Sequence, residues 1–228
     1  MSPARPPFGP ATLGDAWAFL EWRAIEDVLN DPGPDTLFIH AAGVRVAGRL
    51  LLLVGPSGSG KSTLTALLMV RGNRMLGDDV LRFSPQSAFF ESVPRSLKLD
   101  DKTLPLMHLR YSRSQFANPG IVLAPGITYV SPVALCTEWE SEPGQPWAVV
   151  VLEGAPHDGP AGLERRGEGA AAVRLIQSVL GAGHAAADGS LEGARLRLLE
   201  SLGDAVAYQA RGGDPAGLAD LIEKEARA

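Results

Sequence analysis

The sequence predicts an α/β fold with a helical C-terminal tail, on three observations. An apolar, β-rich run over 49–54 leads directly into Gly55-Pro56-Ser57-Gly58-Ser59-Gly60-Lys61-Ser62. Good helix formers then fill 61–71, and beyond residue 170 the apolar spacing turns from strand-like to helical. A length of 228 residues suits one α/β domain with a sizeable core.

Taken in order, residues 1–10 hold four prolines and read as a flexible leader. Trp17, Leu20, Ile25, Val28 and Leu29 recur at helical spacing and predict a helix over 14–29, closed by Asn30-Asp31-Pro32-Gly33-Pro34. Residues 37–46 and 49–54 predict a strand, a tight turn at Ala47-Gly48 and a central strand. The helix over 61–71 ends at Gly72-Asn73, with Leu64, Leu67, Leu68 and Met69 available to cover a sheet face. Residues 75–77 approach Asp78-Asp79, which places the acidic pair at a strand end, and 80–83 alternates before a turn at 84–87. Further strands are expected at 88–93, 96–99, 121–123 and 147–152, and a polar loop at 157–169. Residues 170–180 and 191–208 carry helical apolar patterning, and Asp214-Pro215 supplies a cap and a favoured first-turn proline for a last helix. The expected organisation is a leader and helix over 1–36, a core over 37–160, and a helical extension of the same domain over 161–228.

Composition narrows the function. Hydrophobic residues at 45% and charged residues at 21% fit a soluble globular chain. The net charge of -5, with no basic block, gives no support for a nucleic-acid partner and points to a small-molecule or protein acceptor. Cys136 is the only cysteine, which excludes an intrachain disulfide and a multi-cysteine metal site, so the expected compartment is reducing cytosol. The first residues lack the apolar stretch of a signal peptide, and the longest strongly apolar run, 50–54, falls far short of a membrane span. Neither secretion nor a membrane partner is expected.

The chemistry starts at the glycine loop. Phosphate oxygens need several donors converging from a tight backbone curve, which Gly55, Gly58 and Gly60 permit. The next helix adds unpaired amides and a favourable dipole. Lys61 can reach the β- and γ-phosphates, and the Ser62 hydroxyl can ligate Mg²⁺. The expected nucleotide-binding set is therefore Gly55, Ser57, Gly58, Ser59, Gly60, Lys61 and Ser62, with Thr63 close by. A glycine-rich turn alone would need neither Lys61 nor Ser62.

Asp78 begins 17 positions after Lys61, far enough for a helix and a return to the loop. One carboxylate of Asp78-Asp79 can hold magnesium through water while the other orients or deprotonates an acceptor hydroxyl; an exposed turn or a cap is the structural alternative. His40 stands open between a catalytic and a structural role. Arg95 and Lys98 can neutralise substrate phosphate or form a solvated edge, and Arg110, Tyr111 and Arg113 can line an acceptor mouth or be scattered surface charge. His108, His157 and His184 show no HExxH arrangement, so zinc hydrolysis is not expected.

His40-Ala41-Ala42, the 55–62 loop, Arg71-Gly72-Asn73-Arg74 and Asp78-Asp79, with their spacing, resemble the catalytic domain of bacterial HPr kinase/phosphorylase. The short HPr-kinase-like proteins found beside peptide-modifying gene clusters are especially similar, and VPRSLKL at 93–99 looks like their Pro-x-x-Leu-x-Leu stretch. The likeness covers residues 37–99; a later glycine-rich signature is not recognisable. It implies a P-loop nucleoside triphosphate-binding fold of the HPr kinase/phosphoenolpyruvate carboxykinase-like type. It also implies Asp78 as the catalytic acid/base, Asp79 as its metal-associated neighbour and His40 near the acceptor phosphate.

The function expected is ATP- and Mg²⁺-dependent phosphoryl transfer to a hydroxyl of a peptide, small protein or small molecule, including a serine. The catalytic set is Asp78, His40 and Lys61, and the metal set Ser62 and Asp79. ATP is preferred to GTP through the resemblance. The alternatives are a hydrolysis-coupled switch and a nucleotide-binding accessory protein without kinase activity; homo-oligomerisation stays open.

Overall fold

Short apolar runs broken by turn residues become three sheets flanked by helices. The structure, a computed structural model, describes residues 13–30, 36–100, 103, 121–124, 126–135, 140–154, 159–180 and 190–228. Helix α1 (Leu13–Asn30) precedes β1 (Leu37–Ile39), β2 (Ala41–Val46) and β3 (Arg49–Val54). Next come α2 (Lys61–Val70), β4 (Arg74–Gly77), β5 (Leu81–Ser84), β6 (Phe89–Ser92), β7 (Leu97–Asp100), β8 (Ile121–Ala124), β9 (Ile127–Val130) and the short α3 (Pro132–Leu135). The remainder is β10 (Pro146–Leu152), β11 (Gly162–Arg166), α4 (Glu168–Gln177), β12 (Val179–Leu180), α5 (Ser190–Glu200), β13 (Val206–Arg211) and α6 (Pro215–Arg227).

The main sheet has the order β11-β13-β10-β3-β2-β4, with β3, β10 and β13 parallel and the others antiparallel to their neighbours. A central parallel strand is covered on both faces, which is why β3 reads as a continuous apolar run. On one face Leu64 and Leu68 of α2 and Leu218 and Ile222 of α6 meet Leu51, Leu53 and Val150. On the other, Leu175 of α4 and Leu198 of α5 meet Leu50, Leu52 and Val149. The fold class is α/β, as expected.

A second sheet, β12-β1-β5-β6, and a third, β7-β9-β8, flank the first. Two of the chain's passages between the second and main sheets meet at a seam, one at His40 between β1 and β2, and one at Asp78 to Val80 between β4 and β5. Ile39 pairs with Leu81 in one sheet and Gly43 with Gly77 in the other, so a single antiparallel register runs through the seam. It puts residues 40–42 opposite residues 78–80.

Three expectations change. The strand expected over 37–46 breaks at His40, because its halves belong to different sheets. The loop expected over 157–169 contains β11, and the helical pattern over 191–208 divides into α5 and β13. The C-terminal segment is thus not simply a helical tail: β13 lies inside the main sheet. Alanines in Ala205 to Ala210 blur the strand period there, since burial alternates only partly in β13. The Asp214 cap is present, its carboxylate accepting the amides of Ala216 and Gly217 at 2.7 and 2.9 Å. Arg71 and Asn73 fasten α2 to α6: Arg71 Nη1 donates to Asp220 at 2.6 Å and Asn73 to Glu223 at 2.7 Å.

Phe83 is fully buried on β5, 5.2 Å between ring centroids from Phe90, and belongs to the core behind the seam. Phe83→Ala is expected to lower stability by about 3–5 kcal/mol. Urea unfolding should show this as a lower midpoint at an unchanged slope.

Candidate functional site

Strands β3, β10 and β13 end on the same side of the main sheet, where open α/β sheets offer a crevice. The chain leaves β3 at Val54, curls through 55–60 and enters α2 at Lys61. The curl depends on glycine at two points. A Cβ on Gly55 would stand 2.5 Å from the Leu152 carbonyl and 2.7 Å from Ser59 Oγ, and Gly60 holds φ 92°, where side chains are strained. The Ser59 amide donates to the Pro56 carbonyl at 3.2 Å and closes the turn. Lys61 is buried, and its Nζ donates to the carbonyls of Gly55 and Pro56 at 2.9 and 3.1 Å. Burial lowers its pKa, opposed by the charges of Asp79 and Asp78.

At the seam, Asp78 is 1% exposed with the Ser62 hydroxyl beside it favouring its charged form, and its Oδ1 has no hydrogen-bond partner among the described residues. Desolvation, then repulsion from Asp79, pushes its pKa up to about 6 against the opposing pull of Ser62, Arg95 and Lys61. Asp79 turns the other way with φ 65°, a left-handed conformation uncommon outside glycine. Its Oδ1 stands 3.6 Å from His40 Nε2 and its Oδ2 3.5 Å from Arg95 Nη1. His40 and then Arg95 hold this carboxyl below its usual range despite partial burial. Neighbouring acids are thereby driven to opposite protonation behaviour.

The seam thus brings together Lys61, Ser62, Asp78, Asp79 and His40. Ser57 lies on the exposed outside of the loop, Ser59 is buried with an unpartnered Oγ, and Gly58 takes φ 77°. Thr63 is turned aside, its hydroxyl 2.7 Å from that of Thr103. Of the pair Arg95 and Lys98, Arg95 reaches Asp79 directly. Arg110, Tyr111, Arg113, His108, His157, His184 and Cys136 lie outside the described residues.

Glu21 gave no motif, yet α1 turns it inward. Its Oε1 accepts the Ser96 amide at 2.7 Å, and its Oε2 lies 3.6 Å from Arg95 Nη2 and 3.9 Å from Lys98 Nζ. The readable signal was its place at helical spacing from Ile25 and Leu29, which pack inward on Phe38, Val80 and Val93. Of the apolar residues that predict this helix, Trp17, Leu20 and Val28 are exposed. Beside the loop, a cavity of about 530 Å³ is lined by His40, Gly55, Pro56, Glu153, Arg174 and Ser178, among others. Glu153 and Arg174 carried no pattern that singled them out.

Among the described residues, buried groups without a hydrogen-bond partner concentrate here: Glu21 Oε2, Ser59 Oγ, Asp78 Oδ1 and Arg95 Nε. Such groups are destabilising unless a ligand or solvent completes them. Among the described residues, no group of three or more His, Cys, Asp and Glu converges as a metal cluster, and no helix is long and apolar enough to cross a membrane.

No family model matches the chain, and no curated protein matches it. Among solved structures it is similar to the Hpr(Ser) kinase/phosphatase from Coxiella burnetii, at 15% identity and a TM-score of 0.39, over 83% of this chain and 93% of that one. The resemblance is distant.

The raised pKa of Asp78 has a stability consequence. A carboxyl whose pKa is higher in the folded state opposes folding fully above that folded value, and not at all below the unfolded one near 3.8. Asp78→Asn is therefore expected to stabilise the protein at pH 7.5 by up to about 3 kcal/mol. The gain should shrink as pH falls through about 6 towards 4. Thermal melts of both forms across that range check it; a gain independent of pH contradicts it.

Proposed function

We propose that this protein transfers the γ-phosphoryl group of ATP, with magnesium, to a hydroxyl on a peptide, small protein or small molecule. The observation that carries the reading is the convergence, at one sheet seam, of a lysine-bearing glycine loop with two carboxylates of opposed protonation behaviour. The fit to a triphosphate and a cation rests on the unpartnered Ser59 Oγ and Asp78 Oδ1, the side-chain-free approach at Gly55, and the helix N-terminus at Lys61. ATP with magnesium supplies the activated phosphoryl group and the charge neutralisation that transfer requires.

The chain's own residues then divide the work. Gly55, Ser57, Gly58, Ser59 and Gly60 offer backbone and hydroxyl donors, and Lys61 swings from the loop carbonyls to the phosphates. Ser62 and Asp79 are the groups offered to the cation, which needs few protein ligands. Asp78 takes the acceptor's proton as the acceptor oxygen bonds to phosphorus and the bond to the leaving diphosphate breaks. Its pKa of about 6 keeps it ionised at neutral pH yet basic enough to take that proton. His40 orients Asp79 from across the seam and faces the acceptor side.

Purified protein with γ-labelled ATP, magnesium and a library of serine-containing peptides is expected to label an acceptor. Asp78→Asn should reduce labelling by about 10²–10⁴-fold while leaving ATP binding, and Lys61→Ala should weaken binding itself. Transfer unchanged by Asp78→Asn would reject that residue as the base. Turnover without any labelled acceptor would assign the chain to nucleotide hydrolysis instead.

A further inference from the structure

The contact between α1 and the segment before β7 takes no part in the reading above. Arg95 is 8% exposed in its side chain and divides its guanidinium between two carboxylates, Asp79 on one side and Glu21 on the other. Lys98 approaches the same Glu21 oxygen, so two cations of one short segment share one carboxylate oxygen from a distant helix.

That oxygen fits its place poorly. At 3.6 and 3.9 Å it lies beyond the roughly 2.7–2.9 Å of a charge-assisted hydrogen bond, and it is buried with no hydrogen-bond partner among the described residues. Arg95 Nε, equally buried, lacks one too. The other oxygen of Glu21 is committed to the Ser96 amide. A carboxylate held in this way cannot approach both cations, whereas a tetrahedral oxyanion has oxygens enough to accept from the guanidinium, the ammonium and the Ser96 amide together.

The helix that carries Glu21 docks along one face, with β8 among the elements it meets. Ile25 and Leu29 pack on Phe38, Val80 and Val93, and Trp17 Nε1 donates to Ser96 Oγ at 3.3 Å. Its other face leaves Leu20 64% and Trp22 52% exposed. Local opening of such an element requires far less than global unfolding.

We propose that Arg95 and Lys98 form a subsite for a phosphate-type oxyanion beside Asp79, and that Glu21 of α1 occupies it as an internal stand-in that the ligand displaces. Its chemistry serves free phosphate and a phosphomonoester alike. The subsite deepens the transferase reading, and rests on it only in so far as the phosphomonoester is that of a phosphorylated acceptor. Binding there moves Glu21 away from Arg95 and loosens α1, which couples the anion to the helix.

Hydrogen–deuterium exchange over residues 13–30, followed during titration with inorganic phosphate or a phosphoserine peptide at constant ionic strength, tests this. In the unmodified protein either ligand should raise exchange in α1, the peptide at lower concentration if the acceptor's ester is the ligand and both alike if only the phosphate group is read. Glu21→Gln should show fast α1 exchange without ligand and bind phosphate about tenfold more tightly, a change of about 1.4 kcal/mol. Lys98→Gln should abolish the response. Lys61→Ala should retain it while losing triphosphate binding, which separates failure of the subsite from failure of the transferase reading. Equal phosphate affinity in the unmodified and Glu21→Gln proteins, or a normal response in Lys98→Gln, overturns the proposal.

Discussion

A single antiparallel register carried through the junction of two sheets is the constraint from which the site follows. Ile39 with Leu81 and Gly43 with Gly77 fix both sides of the junction, so residues 40–42 lie opposite 78–80 and His40 comes within reach of Asp79. A slip by one residue would reverse every side chain between them, taking Asp78 away from Ser62 and putting Gly77 or Asp79 in its place. The junction is stabilised on both sides by fully buried residues, Leu81 and Phe83 below and Leu76 above. Such packing tolerates one register only.

Opposed environments explain why two adjacent aspartates differ so much. Asp78 is enclosed and meets a neutral hydroxyl, whereas Asp79, rotated by its left-handed backbone, meets an imidazole and a guanidinium. A regular strand would also direct consecutive side chains to opposite faces. Here the turn between sheets gives each carboxylate a different neighbourhood, and the unusual φ of Asp79 is part of that arrangement.

Much of this was legible in the residues. The loop, its strand and its helix were readable because glycine, lysine and apolar periodicity act locally, and the bounds of α2 differ from expectation only at Arg71. The Asp214 cap was readable for the same reason. What escaped was long-range. Glu21 and Arg95 lie 74 positions apart and meet only through the docking of α1, which no local pattern encodes. The split of 37–46 at His40 depends on which sheet each half joins, and β13 hid within a helical reading because its alanines suit either state. Arg71 and Asn73, read as part of a family-like stretch, have their partners on α6.

The pairing of β3 with β10 bears on the order in which the chain matures. Gly55 is shaped against the Leu152 carbonyl, and β3 gains this parallel neighbour from residues nearly a hundred positions downstream, Val54 lying beside Val151. A nascent chain emerging from the ribosome therefore carries the complete loop motif well before it has the wall that shapes it. The loop reaches its final shape late in synthesis, and until β10 is made β3 has one unpaired edge.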